Sequence, residues 1–197
     1  DGDQFVYMQV TRGNGLRGHI YPEDMQGNLW ITLTPAHVAD TYKPIDVITY
    51  EDKRFYYCNC KTLNLIPSCL AATAADRAGC QEAIFHRGDL VTECAHSNVS
   101  IFKDGKVITH QLDDKVLPGT ARIRLLAFAK KLGYGVEERD YTLDELMNAD
   151  EIIVHSTGSF CIPVKTVDGK PVGGKAPEML KTIQDALVKD FEEQCKA

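Results

Sequence analysis

This sequence predicts an α+β fold, and three observations carry the prediction. Short runs such as Phe5 to Val10 and IDVITY alternate apolar and polar residues with a period of two, the pattern of half-buried strands. Turn pairs such as Asn14-Gly15, Asp104-Gly105 and Asp168-Gly169 stand beside or between such runs and supply the positive φ that tight turns need. Helical runs with start and stop residues fall between the strands, and 197 residues are enough to bury a real core.

The first strand, Phe5 to Val10, runs into TRGNGLRGHIYP, where Arg17 and His19 stand two apart and, on a strand, share one face. Two such donors can grip a carboxylate, arginine by its fork and histidine by a single bond. Taken alone, an exposed Arg-His pair on a hairpin is usually just solvated. NLWITLT is a further strand closed by Pro35, and the irregular PAHVADTYKP after it is the best place for a domain boundary, with residues 1–35 before it and 36–197 after. IDVITY opens the second part. The alternation Phe55, Tyr57, Asn59, Lys61 predicts a strand that ends at the lysine. A helix follows at once, with Leu63, Leu65, Cys69, Leu70, Ala72, Ala75 and Ala78 at helical spacings, Pro67 in an early turn and Gly79 as the stop. Lys61 would then stand at a strand-to-helix junction, where desolvation can leave a neutral amine able to attack a carbonyl carbon. Most lysines are solvated surface residues, so placement alone does not decide the matter.

QEAIFHRGDLVTE reads as two short strands about an Arg-Gly-Asp turn, and SNVSIFKDGKVITH as a hairpin around Asp104-Gly105. A helix is predicted from about Ala121 to Leu132, with Thr120 as N-cap and Gly133 as stop; its free N-terminal amides could cradle a phosphate, although every helix has such an end. TLDE, Thr142 to Glu145, is a capping box. EIIVHSTGSFCIPV is a strand, a Ser-Thr-Gly break and another strand, and Pro177 opens a final helix with Leu180, Ile183, Leu187 and Phe191 along one side.

Composition excludes several classes of function. The formal net charge is -6 and no Lys/Arg block is dense, which argues against nucleic-acid and membrane-surface binding. No apolar run approaches the ~20 residues that span a bilayer, and no leader pattern opens the chain, so the expectation is a cytoplasmic protein. Cys58, Cys60, Cys69, Cys80, Cys94, Cys161 and Cys195 form no CxxC or His-Cys cluster; they read as reduced thiols packed in the core, not as metal ligands.

Four motifs in order resemble the class IV pyridoxal-phosphate aminotransferases, the family with the D-amino acid aminotransferase fold. CKTLNLI looks like the family's lysine motif, which usually has Ile before the lysine and Ser after it, where this chain has Cys60 and Thr62. VTECAHSN is similar to its TEGxxSN glutamate motif, with Cys94 in the glycine place. VLPGTAR is similar to LPGITR, and HSTG to the family's Ser/Thr phosphate strand. Lys61 and Glu93 are 93 − 61 = 32 residues apart, as the family pattern requires, and the resemblance runs nearly from end to end. It implies a large domain with a β pseudobarrel and flanking helices at 36–197, and at 1–35 the C-terminal remnant of a small domain that is mostly absent.

The resemblance also implies roles. Pyridoxal 5'-phosphate would be held by Lys61 as a Schiff base, and Lys61 would then move a proton between the substrate Cα and the cofactor. Glu93 would face the pyridine nitrogen, the backbone amides of Thr120 and Ala121 together with Thr157 would bind the phosphate, and Leu117 would pack against the ring. Arg17 and His19 resemble the RxH carboxylate trap of D-amino acid aminotransferases, in which the pair serves the neighbouring subunit. This implies a homodimer that transaminates between a D-amino acid, of the D-alanine or D-glutamate type, and a 2-oxo acid. Branched-chain aminotransferases and aminodeoxychorismate lyases share the lysine and the glutamate and remain alternatives; a non-catalytic dimer or interaction domain is an alternative of another class. The chain departs from the family at Ala121, where a threonine hydroxyl usually touches phosphate, and at Gly158 and Cys94. It starts at Asp1 and is soon in a strand, so it reads as a fragment that lacks a phosphate-clamping arginine and a substrate-binding tyrosine, and is expected to be a poor catalyst by itself.

Overall fold

The computed structural model describes residues 3–196, which fall into two units dividing between Ala39 and Asp40. The first unit is a hairpin: β1 (Gln4–Thr11) pairs antiparallel with β2 (Asn28–Pro35), from Gln4 opposite Pro35 to Thr11 opposite Asn28. Both strands lie where the alternation predicts them. The expected strand through Arg17 and His19 does not form. The chain leaves the ladder at Thr11, and Gly13 turns it at φ 109, so close to the Gln26 carbonyl that a Cβ there would come within 2.2 Å of the oxygen. With no strand to bond, the segment carrying the pair stays irregular and exposed.

The second unit is built on a mixed nine-stranded sheet. In chain order its elements are β3 (Ile45–Glu51), α1 (Ile66–Arg77), β4 (Glu82–Arg87), β5 (Leu90–Cys94), β6 (Asn98–Lys103), β7 (Lys106–Thr109), α2 (Thr120–Lys131), β8 (Gly135–Glu138), α3 (Leu143–Met147), β9 (Glu151–Ser156), β10 (Ser159–Val167), β11 (Lys170–Pro171) and α4 (Pro177–Cys195). The strand order is β5-β4-β3-β10-β9-β6-β7-β8, with β11 beside β10. Of the three parallel pairs, β3–β10, β3–β4 and β7–β8, the last two are each bridged by one helix, α1 and α2, because a parallel neighbour can be reached only by a crossover. Successive residues of the central strands go to opposite faces. Ile101, Ile152 and Val154 join Val47, Ile84 and Leu146 on one side, while Phe102 and Ile153 join Leu125, Ile183 and Leu187 under α2 and α4 on the other. Each such fully buried side chain stabilises the fold by about 1.5–3 kcal/mol.

Several local expectations hold. Gly79, Gly105 and Gly133 take positive φ where the stops and the hairpin turn were predicted, and Thr142 and Glu145 form both bonds of the capping box. Others do not. β3 ends at Glu51; Asp52 N–H bonds to the His86 carbonyl at 2.8 Å, and then Tyr57 at φ 74 bends the chain so that its carbonyl accepts from Cys60 N–H at 2.9 Å. The strand expected from Phe55 to Lys61 is therefore a turn-rich segment. α1 begins at Ile66 and buries Ser68, Ala71 and Ala75, while Leu63, Leu65 and Leu70 are exposed. Its small residues let it lie close against Ala83, Phe85 and Ala95, a fit that the spacing of large residues does not reveal. Gly119, not Thr120, is the N-cap of α2, with Thr120 its first helical residue. Strand β8 was not foreseen; its four residues gain strand geometry from pairing with β7. All seven cysteines are free, but only Cys94 and Cys161 are buried; Cys60, Cys69 and Cys195 are exposed, against the expectation of core packing. Among the described residues no helix is long and apolar enough to cross a membrane.

Candidate functional site

Glu93 lies on β5, which is buried from Val91 to Cys94. A buried carboxylate must find donors, and Glu93 has three. Its Oε2 accepts from Asn98 Nδ2 at 2.8 Å and from Leu117 N–H at 2.9 Å, and its Oε1 accepts from Arg54 Nη1. Burial pushes the carboxyl up from the usual range, and Arg54 and the Leu117 N–H pull against that rise. Asn98, the first residue of β6, also donates to the Leu117 carbonyl at 3.0 Å. A Cβ on Gly119 would come within 2.1 Å of Asn98 Oδ1, so only a glycine at 119 allows this approach.

Arg54 is the residue that the sequence reading missed. Its guanidinium is nearly buried, with a side-chain exposure of 11%, and forms a fork on Asp52: Nε to Oδ1 at 2.9 Å and Nη2 to Oδ2 at 2.9 Å. Nη2 also reaches the Lys115 carbonyl at 3.0 Å, and the group lies over the Phe85 ring, 4.5 Å from its centroid. Asp52 is itself fully buried and accepts from Arg87 Nε at 3.1 Å and from Thr92 Oγ1 at 3.1 Å. Burial raises the Asp52 carboxyl, but the bonds and charge of Arg54, and then Arg87, outweigh it and hold the group below its usual range. In the sequence, Asp52-Lys53-Arg54 is only a short charge run with no motif to mark it.

A second group forms at the start of α2. Thr157, in the turn between β9 and β10, brings its hydroxyl to 3.3 Å from that of Thr120, and a cavity of about 240 Å³ beside them is lined by Thr120, Ala121, Thr157, Phe160, Leu187 and Phe191 among others. No side chain caps the helix N-terminus among the described residues, so its first amides are free to bind an anion. A larger cavity, about 350 Å³, lies away from these residues between the β6–β7 hairpin, β8 and α3. Its charged lining pairs internally, Lys106 with Glu137 and Arg139 with Glu137 and Glu145, and it holds none of the chemistry above.

His155 stands opposite Asn98 in the β6–β9 ladder and is fully buried. One ring nitrogen, Nε2, is 2.9 Å from Ser100 Oγ, and Nδ1 has no partner among the described residues. Burial, and then the charge of Arg122, lower its pKa to about 3, so the ring is neutral.

The structure brings Glu93 and Leu117 into contact and sets Thr120 against Thr157; the single stretch from Leu117 to Ala121 joins the two groups. Lys61 is exposed in the turn-rich segment after β3, which Cys58 N–H ties to the Asp114 carbonyl at 2.8 Å. Arg17 and His19 are exposed in the connection between β1 and β2 of the first unit. A buried acceptor carboxylate at one end of the 117–121 stretch, and free amides with two hydroxyls at the other, fit the ring nitrogen and the phosphate of pyridoxal 5'-phosphate.

Comparison with known proteins points the same way. A family model described as amino-transferase class IV matches residues 2–167. The chain is 38% identical over 196 residues to the D-alanine aminotransferase of Listeria monocytogenes serotype 4b (strain F2365), covering 96% of this chain and 68% of that protein. It is 36% identical to the D-alanine aminotransferase of Staphylococcus aureus (strain COL), covering 95% and 68%. Among solved structures, the branched-chain amino acid aminotransferase of Escherichia coli superposes with a TM-score of 0.81 at 26% identity, over 94% of this chain and 65% of that one. The fold IV transaminase of Curtobacterium pusillum shares the fold at a TM-score of 0.81 and 21% identity, over 98% and 66%. The chain spans about two thirds of the length of these relatives.

Proposed function

This chain belongs to the class IV aminotransferases, and on that premise we propose that it carries the cofactor-binding part of an enzyme that moves an amino group between a D-amino acid, of the D-alanine or D-glutamate type, and a 2-oxo acid. The observation that carries the reading is the buried Glu93 carboxylate, fixed by Arg54, Asn98 and the Leu117 N–H, at the head of the stretch that ends in the α2 N-terminus. When bound, pyridoxal 5'-phosphate supplies an aldehyde for the amino group and a protonated ring that draws electrons from the substrate Cα. Lys61 provides the amine that holds the cofactor and afterwards carries the proton to and from Cα. Glu93 keeps a proton on the ring nitrogen, as only an ionised acceptor at that atom can. The amides of Thr120 and Ala121 and the Thr157 hydroxyl take the phosphate, and Leu117 packs against the ring. Arg17 and His19 grip the substrate carboxylate from a second copy of the chain, so the working unit on this reading is a homodimer in the cytoplasm. Residues 36–197 are the cofactor-binding domain, and residues 1–35 belong to a smaller one. The names of the relatives favour D-alanine over the branched-chain alternative.

Borohydride reduction in the presence of pyridoxal 5'-phosphate, followed by peptide mass spectrometry, tests the lysine: the adduct is expected on Lys61 and absent from Lys61→Ala. Offering D-alanine, L-leucine and aminodeoxychorismate in turn, with absorbance as the readout, tests the substrate. Conversion of D-alanine alone is expected; turnover of L-leucine with D-alanine ignored would overturn the choice within the family.

A further inference from the structure

We infer that Arg54 is a positioning residue that decides where the proton between Glu93 and the cofactor ring resides, an assignment that rests on the reading of Glu93 as the ring's partner. A carboxylate offers about four acceptor positions. Two at Glu93 Oε2 are taken by Asn98 and Leu117, and one at Oε1 by Arg54. The position that remains for a ring N–H is therefore on Oε1, the oxygen that Arg54 already holds. A cation on that oxygen lowers its proton affinity, so the proton stays on the ring nitrogen. Without the cation, a carboxylate this deeply buried takes the proton, leaving a neutral carboxyl that donates to a neutral ring nitrogen. The change is the transfer of one proton from nitrogen to Oε1, with no other bond made or broken.

Arg54 is built for this and is not a passing contact. Asp52 grips Nε and Nη2, Nη2 also bonds the Lys115 carbonyl, and the group lies over Phe85, so the one arm left for Glu93 cannot swing away. Asp52 is held in turn by Arg87 and Thr92. The array alternates in charge, Arg87, Asp52, Arg54, Glu93, and the two cations balance the two anions. A lysine could not reproduce the geometry, since it has no planar fork with which to engage Asp52 and Glu93 together. The same guanidinium joins the segment that leads to Lys61 to the segment that leads to Leu117, so one side chain sets the place of both.

The test uses this chain with Glu93 observed by carboxyl ¹³C NMR, first free of cofactor and then loaded with ¹⁵N-ring-labelled pyridoxal 5'-phosphate, near pH 7.5. Expected in the native protein are an ionised Glu93 and a pyridinium-type ¹⁵N shift. Arg54→Gln, which keeps a donor but removes the charge, should move the proton balance toward Glu93 by about 10- to 1,000-fold, the effect of removing one close opposite charge. The ¹⁵N signal then becomes pyridine-like and kcat falls with it. Arg54→Lys, which returns the charge without the fork, should restore the pyridinium signal only in part. A pyridinium signal that persists in a folded Arg54→Gln protein overturns the role of Arg54. Should that variant not fold, the native protein decides alone, because a protonated Glu93 beside Arg54 in the cofactor-free form also overturns it. Failure of the underlying reading looks different: an ionised Glu93 with a pyridine-like ring signal in the native loaded protein means that the ring does not meet Glu93.

Discussion

Two buried ionisable groups lie side by side along β6 and have been accommodated in opposite ways. At Asn98 the strand supports Glu93, which shares a close array of charges with Arg54, Asp52 and Arg87. Two residues on, at Ser100, it supports His155, whose ring has a hydroxyl as its one hydrogen-bond partner among the described residues and whose second nitrogen has none. Burial disfavours charge at both places. Glu93 has a guanidinium beside it, and a charged cluster results; His155 has a cation, Arg122, as its nearest charged influence, and it stays neutral. The difference teaches that burial weighs most at both groups, while the sign of the charge packed against each decides whether burial is opposed, as Arg54 opposes it at Glu93, or reinforced, as Arg122 reinforces it at His155.

The largest effect expected from breaking this contrast is at Asp52. Asp52→Ala leaves Arg54 and Arg87 without their shared carboxylate in a buried place, and should cost about 3–5 kcal/mol in urea unfolding; a loss below about 1 kcal/mol would mean that the array relaxes into solvent. Gly119→Ala comes next. Its Cβ must displace the Asn98 oxygen, and overpacking of this kind costs about 1–3 kcal/mol. Because Asn98 also holds Glu93, the variant should bind cofactor more weakly as well, which a fluorescence titration would read.

The neutral side of the comparison is sharpened by pH. His155 has a folded pKa of about 3 against an ordinary value of 6.5. A lowered pKa means that the unfolded chain takes up the proton first, so the stabilising contribution is complete above pH 6.5 and is lost as pH falls toward 3. Between pH 7.5 and 5 the native protein should lose about 2 kcal/mol more than His155→Gln does, at about 1.36 kcal/mol per pH unit below 6.5. Equal losses in the two proteins would show His155 already charged in the fold. The smallest effect is at Ser100→Ala, which removes the one partner of the ring and should cost about 1–2 kcal/mol without changing the cofactor spectrum.

Local chemistry was legible wherever a few neighbouring residues settle the outcome. The Asp104-Gly105 hairpin, the Thr142–Glu145 capping box and the helix stops at Gly79 and Gly133 each depend on backbone angles or caps that adjacent residues control, and they stand where the sequence put them. The motifs around Glu93, Leu117 and Thr120 were legible as resemblance, and the chain's membership of the class IV aminotransferases agrees. What only the tertiary structure decided depends on partners distant in sequence. Phe55 to Lys61 alternates like a strand but finds no neighbouring strand to bond, whereas the short Gly135–Glu138 becomes a strand because β7 is beside it. The buried face of α1 follows from how closely small residues approach Ala83 and Ala95, not from the spacing of its leucines. Arg54 reads along the chain as part of a solvated charge run. It becomes a buried counterion only when β4, β5 and the 113–117 segment close around it, because the desolvation that makes its charge matter is supplied by residues up to 61 positions away.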